Sequence, residues 1–567
     1  MQSKDFRFRE ITYNYTSFSD KEIILKYFDK NTWDQVEFLR DQRITGRSAK
    51  LLYENVGDIF IIERNPYLFE EFLTNKQKRN KLKNIHKSRI DTVRNNSREN
   101  QIALEVIKKV EQLNEKFFKE FSTVKLLRQK LLLMLTGVIP LKNVKFTPFH
   151  LVSHATDATD WRVEYPFVVI YPDSIDEIPK IIRAAKKTGL SIIPRGGGTG
   201  LTGGAVPVNR RTMVINTEKF NRINNVEYVK EGEKELPIIE TESGVITDTI
   251  IEHCEKLGYI FATDPTSSWA STIGGNIAEN AGGKKCVMWG TAIDNLYSFL
   301  IANYNGDILK IQRRNHPYRK ISEEDEVLFD VYKTNGKGDI LLKTISLNGT
   351  EIRKKGLGKD ITNKALKGVP GLQKEGGDGI ILSAKFVLYT PFKFCKTVCL
   401  EFYGNNMVAA SNAILKINNL FSNNNSVFLT ALEHFDEKYV AAINYRNKSV
   451  RNETPKAVLL IDIESNDEKS LEEGSNKILL LTSDYNAEGA VAKNETERKT
   501  FWNDRKHLGA IAKHTNAFKL NEDIVIPLNN LPLFADYIEQ LNYCKEFENA
   551  ITTIYKIKRY FEKLVVS

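Results

Sequence analysis

The stretch from Pro194 to Pro207, "PRGGGTGLTGGAVP", puts glycines at 196, 197, 198, 200, 203 and 204, and backbone this bare can bind phosphate. Without a Cβ, consecutive residues reach turn conformations that point several N–H groups at one anion. The spacing Gly198-x-Gly200-x-x-Gly203 fits a dinucleotide fingerprint, but that fingerprint needs a helix opening at its third glycine. Pro207 follows Gly203 by four residues and a strand begins near Thr212, which leaves no room for one. A Walker A loop is excluded as well, because no Gly-Lys-Ser/Thr follows the glycines. A tight glycine turn without a ligand stays open as the alternative.

A second cluster, "TIGGNIAENAGG" (Thr272 to Gly283), lies seventy-odd residues on. Thr199, Thr202, Ser268, Ser271, Thr272, Asn276 and Asn280 add small hydroxyl and amide groups around the two clusters. Together the loops would grip a dinucleotide pyrophosphate from two sides without a helix dipole.

The elements that must position them are readable. "FVVIYP" (Phe167 to Pro172) is a buried strand and "SIDEIPKIIRAAKKTG" (Ser174 to Gly189) a helix, with Ser174 and Glu177 as capping box and Gly189 as stop. Pro179 moves the expected helix start a turn later. "SIIP" then runs into the first loop. "IIETESGVI" is strand-like, and "TDTIIEHCEKLG" (Thr247 to Gly258) is a helix with Thr247 as expected N-cap.

At about 150 residues per domain, 567 residues divide into three or four units. Residues 1–145 carry helical periodicity, as in "ALEVIKKVEQLNEKFFKEFSTVKLLRQKLLLML". Short strands begin near Phe146, a basic glycine-punctuated excursion occupies about 310–370, and a separate α+β pattern runs over 394–567. Hydrophobic residues at 41% and charged residues at 27% describe a globular chain, not a disordered one. Five widely spaced cysteines point to free thiols and supply no zinc or iron–sulfur spacing, so no metal site is expected. The N-terminus has no apolar signal region, and "LLLMLTGVIP" is too short to span a bilayer, so the cytoplasm is the expected compartment, with a peripheral place on the inner membrane as the variant. The net charge of +10 draws partly on "KQKRNKLKNIHKSRIDTVRNNSREN"; lacking stacking aromatics, that run reads as a solvated helix face and no nucleic-acid partner is expected.

"PRGGGTGLTGGAVP", "DPTSSWASTIGGNIAENAGG", "WGTAIDN" and "YNGDI" together resemble the FAD-binding domain of the vanillyl-alcohol oxidase/p-cresol methylhydroxylase superfamily, in the branch of D-lactate, glycolate and D-2-hydroxyglutarate dehydrogenases. The flanking segments "FREITYNYTSFSDKEI", "TGRSAKLLYENVGDIFIIERNPYL", "SHATDATDWRVEYPFVV" and "GLGKDITNKALKGVPGLQKEGGDGII" resemble very long bacterial FAD/iron–sulfur oxidoreductases with a helical N-terminal extension. The resemblance implies an α+β architecture with a p-cresol methylhydroxylase-type (PCMH-type) two-subdomain FAD-binding domain over 146–393, a helical extension over 1–145 and a ferredoxin-like substrate domain over 394–567.

It also implies FAD as cofactor, held non-covalently because no histidine sits in the first loop. Pro194, Arg195, Gly196, Gly197, Gly198, Thr199, Gly200, Leu201, Gly203 and Gly204 would form one half of the pyrophosphate site. Pro265, Ser268, Ser271, Thr272, Gly274, Gly275, Asn276, Asn280, Gly282 and Gly283 would form the other. "FWNDRKHLGAIAKHTNAFKLNEDIVIPL" matches the segment that holds a substrate carboxylate in this branch, which assigns that task to Arg505 and Lys519. The implied reaction is oxidation of a D-2-hydroxy acid of D-lactate type, with electrons passed to an iron–sulfur, quinone or cytochrome partner. The alternatives are another substrate on the same fold, or a flavin-binding subunit without catalysis. The branch's H-x-G-D-G-N-x-H-like segment does not occur through Ser567, and His434, His507 and His514 read as surface or core residues; a fragment, a split protein or a degenerate copy would each account for this.

Overall fold

The computed structural model describes residues 19–41, 46–97, 100–159, 161–334, 338–353, 364–404, 407–422, 424–507 and 525–566. Helices Asp20–Tyr27, Lys30–Arg40, Gly46–Arg64, Pro66–Thr74, Lys76–Ser97 and Gln101–Leu135 come first. Their starts are set by local chemistry. Ser19, Asp29, Asn65 and Asn100 each accept a backbone N–H of the first turn, and Pro66 takes a position that has no N–H to lose. The basic run forms Lys76–Ser97, which buries His86, Ile90, Val93 and Ser97 and turns its lysines outward. Phe117, Phe121, Leu131 and Leu135 of the long sixth helix pack onto the first sheet and its crossover helix.

That sheet contains β1 (Val144–Lys145), β2 (Val168–Ile170), β3 (Ser191–Arg195) and β4 (Thr212–Asn216) in the order β1-β2-β4-β3, with β2 and β3 both parallel to β4. Helix Ile178–Thr188 crosses between β2 and β3, and Gly189 ends it at φ +69°. A 3₁₀ turn, Ile175–Glu177, precedes that helix, so Pro179 falls in its first turn where a missing N–H costs nothing. The expected capping box does not form: Ser174 accepts from Asp176 N, while Glu177 accepts from Asp173 N. Residues 196–211 hold no helix. The first glycine loop therefore lacks a Rossmann helix, as the sequence requires.

The second sheet is antiparallel, in the order β10-β9-β8-β7-β11-β6-β5. Its strands are β5 (Ile223–Glu231), β6 (Lys234–Glu242), β7 (Leu296–Asn303), β8 (Ile308–Arg314), β9 (Glu326–Thr334), β10 (Asp339–Asn348) and β11 (Gly379–Val387). Much of the basic excursion thus extends this sheet through β8, β9 and β10 before the chain returns in β11. Helix Thr247–Lys256 and the second glycine loop lie between β6 and β7 in sequence.

The third sheet is β12 (Phe394–Phe402), β13 (Val427–Asp436), β14 (Ala457–Ser465) and β15 (Ala487–Val491), in the order β13-β14-β12-β15 and antiparallel throughout. With helices Val408–Ser422 and Glu468–Leu480 inserted, this is the β-α-β-β-α-β ferredoxin-like arrangement. The two-residue period of β14 divides its side chains. Leu459, Ile461 and Ile463 pack under the helices, whereas Val458 and Leu460 face Phe501 and Trp502 on the opposite side. Asp462 and Glu464 continue that opposite row. A helix Leu531–Val566 follows, and among the described residues no helix is long and apolar enough to cross a membrane.

Candidate functional site

The two glycine loops meet backbone against backbone. A Cβ on Gly196 would run into Thr272 Oγ1, and one on Gly197 into the carbonyl of Ala270. Gly198 adopts φ +65° over the Arg195 guanidinium and Gly203 adopts φ +84°, conformations that side chains disfavour. In the second loop a Cβ on Gly283 would collide with the Asp264 carbonyl, and Asn280 takes the left-handed region at φ +51°. The loops are thus held at a separation that only glycine permits.

Much of the polar complement expected to touch a ligand is spent on shaping the second loop. Thr247 does not cap its helix, a place taken by Ile246; its hydroxyl bonds Ser271 Oγ at 2.8 Å and accepts from Asn276 Nδ2 at 2.8 Å. Asn280 Oδ1 accepts from Ile293 N at 2.9 Å. Arg195 Nη1 donates to the Thr156 carbonyl at 2.7 Å, and burial lowers its affinity for its proton. Thr272 differs: it is 5% exposed, and its Oγ1, between Gly196 and Gly275, has no hydrogen-bond partner. An orphaned hydroxyl in a cradle that a Cβ would fill is what a phosphate-binding loop needs, so these residues fit a pyrophosphate.

Pro265 and Ser268 lie on a different surface, the wall of a cavity of about 420 Å³ between the second glycine loop and the third sheet. Asp264, Lys284 and Lys285 line it from the loop side; Cys395, Thr430, Asp462, Glu464, Arg498, Trp502 and Arg505 line it from the sheet side. Asp462, 2% exposed, is the junction. It accepts from Lys284 Nζ at 3.2 Å, Trp502 Nε1 at 2.9 Å and the Thr397 hydroxyl, with Arg498 Nη1 at 3.6 Å. Lys284 also stands 4.1 Å from the centre of the Trp502 ring, a cation–π contact. Lys285 Nζ donates to the Phe261 carbonyl at 3.1 Å.

Arg505 reaches this cavity from the 3₁₀ turn Asp504–His507, which Tyr439 pins by donating to the carbonyls of Asp504 and Arg505. Its Nε pairs with Glu433 Oε1 at 2.8 Å. Lys519 and His514 lie outside the described residues, so the structure places one of the two expected carboxylate anchors. His434 is half-buried on β13, and the loss of water around its ring lowers its pKa. Two acids on the wall are shifted the other way. Burial raises the Asp264 carboxyl against the pull of Lys285, Arg505 and Lys284, and burial raises Glu464 against the hydrogen bond from Thr430 and the attraction of both lysines. Asp264, Lys284, Lys285, Asp462, Glu464 and Arg498 were not among the residues expected from sequence. One signal was available: in "AVLLIDIES" the acids interrupt an apolar strand at alternate positions, on a single face.

Comparison with known proteins locates three domains. Residues 6–119 match a family described as a protein of unknown function (DUF3683), residues 166–312 an FAD binding domain, and residues 408–554 the C-terminal domain of FAD linked oxidases. Both glycine loops fall in the second match, and the segment that holds Arg505 falls in the third. The glycolate oxidase subunit GlcD of Bacillus subtilis is 33% identical over 157 residues, covering 28% of this chain and 32% of that protein. The D-2-hydroxyglutarate dehydrogenase of Xanthomonas citri pv. viticola is 25% identical over 180 residues, covering 32% of this chain and 37% of its own. The chain thus spans about a third of the length of the glycolate oxidase subunits it matches. A solved p-cresol methylhydroxylase with substrate bound is similar at 12% identity and a TM-score of 0.43, over 67% of this chain and 69% of that one. The matched domains point to FAD as the cofactor.

Proposed function

We infer, from a chain that carries an FAD binding domain followed by the C-terminal domain of FAD linked oxidases, that it oxidises a 2-hydroxy acid of the D-lactate, glycolate or D-2-hydroxyglutarate kind. The observation that carries this reading is the cavity where the two domains meet, into which Arg505 points along with three further cations. Non-covalent FAD, when bound along the glycine loops, supplies the hydride acceptor. Arg505 holds the substrate carboxylate, since a guanidinium offers two parallel N–H donors to two oxygens; to do so it shares its charge with Glu433 or exchanges partners. Glu464, kept above the usual carboxylate range by burial, takes the hydroxyl proton. Lys285, with a backbone carbonyl for its contact, adds a positive charge on the loop side of the cavity for an entering anion. Electrons then leave for an acceptor module or partner.

The decisive experiment is a visible spectrum of the purified chain, followed by anaerobic addition of D-lactate, glycolate or D-2-hydroxyglutarate. Flavin bands that bleach with one of these acids support the reading; absence of flavin ends it. The Arg505–Glu433 pair favours one other reading, a flavin-binding subunit without catalysis, in which the anchor is already neutralised. Flavin that no hydroxy acid bleaches selects that reading.

A further inference from the structure

Glu279 is an acid in a place built for an anion. It follows the short helix Ile273–Ala278 in the second glycine loop, and its Oε1 lies 3.4 Å from where a Cβ on Gly200 would stand and 3.6 Å from one on Gly204. Its carboxyl therefore rests directly against Gly200 and Gly204 of the first glycine loop, and the unpartnered hydroxyl of Thr272, from the second loop, meets the same loop at Gly196. An ionised carboxylate there would repel a diphosphate, whereas a neutral carboxyl would donate a hydrogen bond to it.

We propose that Glu279 is a ligand of the cofactor's pyrophosphate in its protonated form, donating its carboxyl hydrogen to a phosphate oxygen. The proposal rests on the reading that the first glycine loop holds the pyrophosphate of FAD. The surroundings supply a reason for the proton. Burial, then the carboxylates of Glu375 and Asp157, hold the Glu279 proton on, while Lys364 and a hydrogen bond from Thr202 oppose them, and the carboxyl stands at about 7. Lys364 is shared with Glu375 at 3.8 Å, so it offsets that acid as well. A second negative charge brought by the phosphates raises the carboxyl further, and binding takes up a proton wherever the free protein has lost it.

The test is FAD binding to the apoprotein, followed by quenching of flavin fluorescence. For the wild type, linkage to one proton makes the dissociation constant rise about tenfold per pH unit above about pH 7. In Glu279→Gln, which keeps a donor at every pH, that rise is expected to vanish and binding at about pH 8.5 to be at least as tight as in the wild type. Calorimetry of the wild type at pH 8 in two buffers of different ionisation enthalpy, which needs no variant, should show about one proton taken up per FAD bound. An equal pH dependence in both proteins, weaker binding of Glu279→Gln at pH 6, or no proton uptake overturns the proposal while leaving the loop reading intact. Failure of both proteins to bind FAD at any pH overturns the loop reading and this proposal with it.

Discussion

Lys284 Nζ lies 3.2 Å from Asp462 Oδ2, and this ion pair joins the end of the second glycine loop to the middle of β14. Asp462 is nearly sealed from water, with a side chain 3% exposed, so its charge depends on that lysine, on Arg498 and on Trp502. Replacing Lys284 by methionine leaves the carboxylate buried and short of a cation. The expected cost is about 3 kcal/mol, toward the lower end for a broken buried pair because Arg498 still faces the acid. Denaturant unfolding measures it, and a Lys284→Met/Asp462→Asn double variant should recover part of the loss. Equal midpoints for the wild type and Lys284→Met would refute the latch.

Gly197 stands where the first glycine loop touches the carbonyl of Ala270. Alanine there forces the loops apart, since the obstacle is backbone and cannot rotate away. Gly197→Ala is expected to cost about 1–3 kcal/mol of stability and to lower the flavin-to-protein ratio on purification. Gly232, with nothing near its Cβ position, gives the contrast: Gly232→Ala carries the strain of φ +62° without a clash and should keep its flavin.

Both glycine loops, the missing Rossmann helix and the C-terminal α+β alternation are legible in sequence because each depends on local chemistry: glycine spacing, proline placement and the periods of strand and helix; the ferredoxin-like order comes only with the family resemblance. The roles of side chains within the second loop are less so. Thr247, Ser271 and Asn276 look alike as ligands or as braces, and only the fold shows that they bond one another. The cavity is less legible again, since Asp264, Lys284, Asp462 and Arg498 come from segments as much as 234 residues apart and meet through tertiary packing. Spacing rules reach across one helix turn or one strand pair, not across two domains.

Glu464 predicts a pH dependence. Its folded carboxyl is raised by burial, so as a base it works only above that raised value, and kcat/KM for the hydroxy acid should fall as pH drops through it. The same shift makes its stability contribution full below the unfolded value and lost as pH rises through the folded one. Glu464→Gln is expected to lower kcat by about 10²–10⁴-fold and to remove the acidic limb of the profile, with flavin retained. An unaltered acidic limb in that variant assigns the proton to another group.

Arg505 supplies the sharpest test of the anchor. Its guanidinium is 15% exposed and tied to Glu433 at 2.8 Å, and lysine in its place keeps the charge but loses the two-pronged geometry. For Arg505→Lys, KM for the hydroxy acid should rise and kcat/KM fall by about 10²-fold, the order expected when one bidentate charged contact is lost. The visible flavin spectrum should not change, since Arg505 stands on the sheet side of the cavity and not on the glycine loops. Glu433→Gln frees the guanidinium of its internal partner and should lower KM. Steady-state kinetics of both variants beside their spectra decide the matter: if Arg505→Lys leaves kcat/KM unchanged, the pair with Glu433 is structural and the carboxylate anchor lies elsewhere.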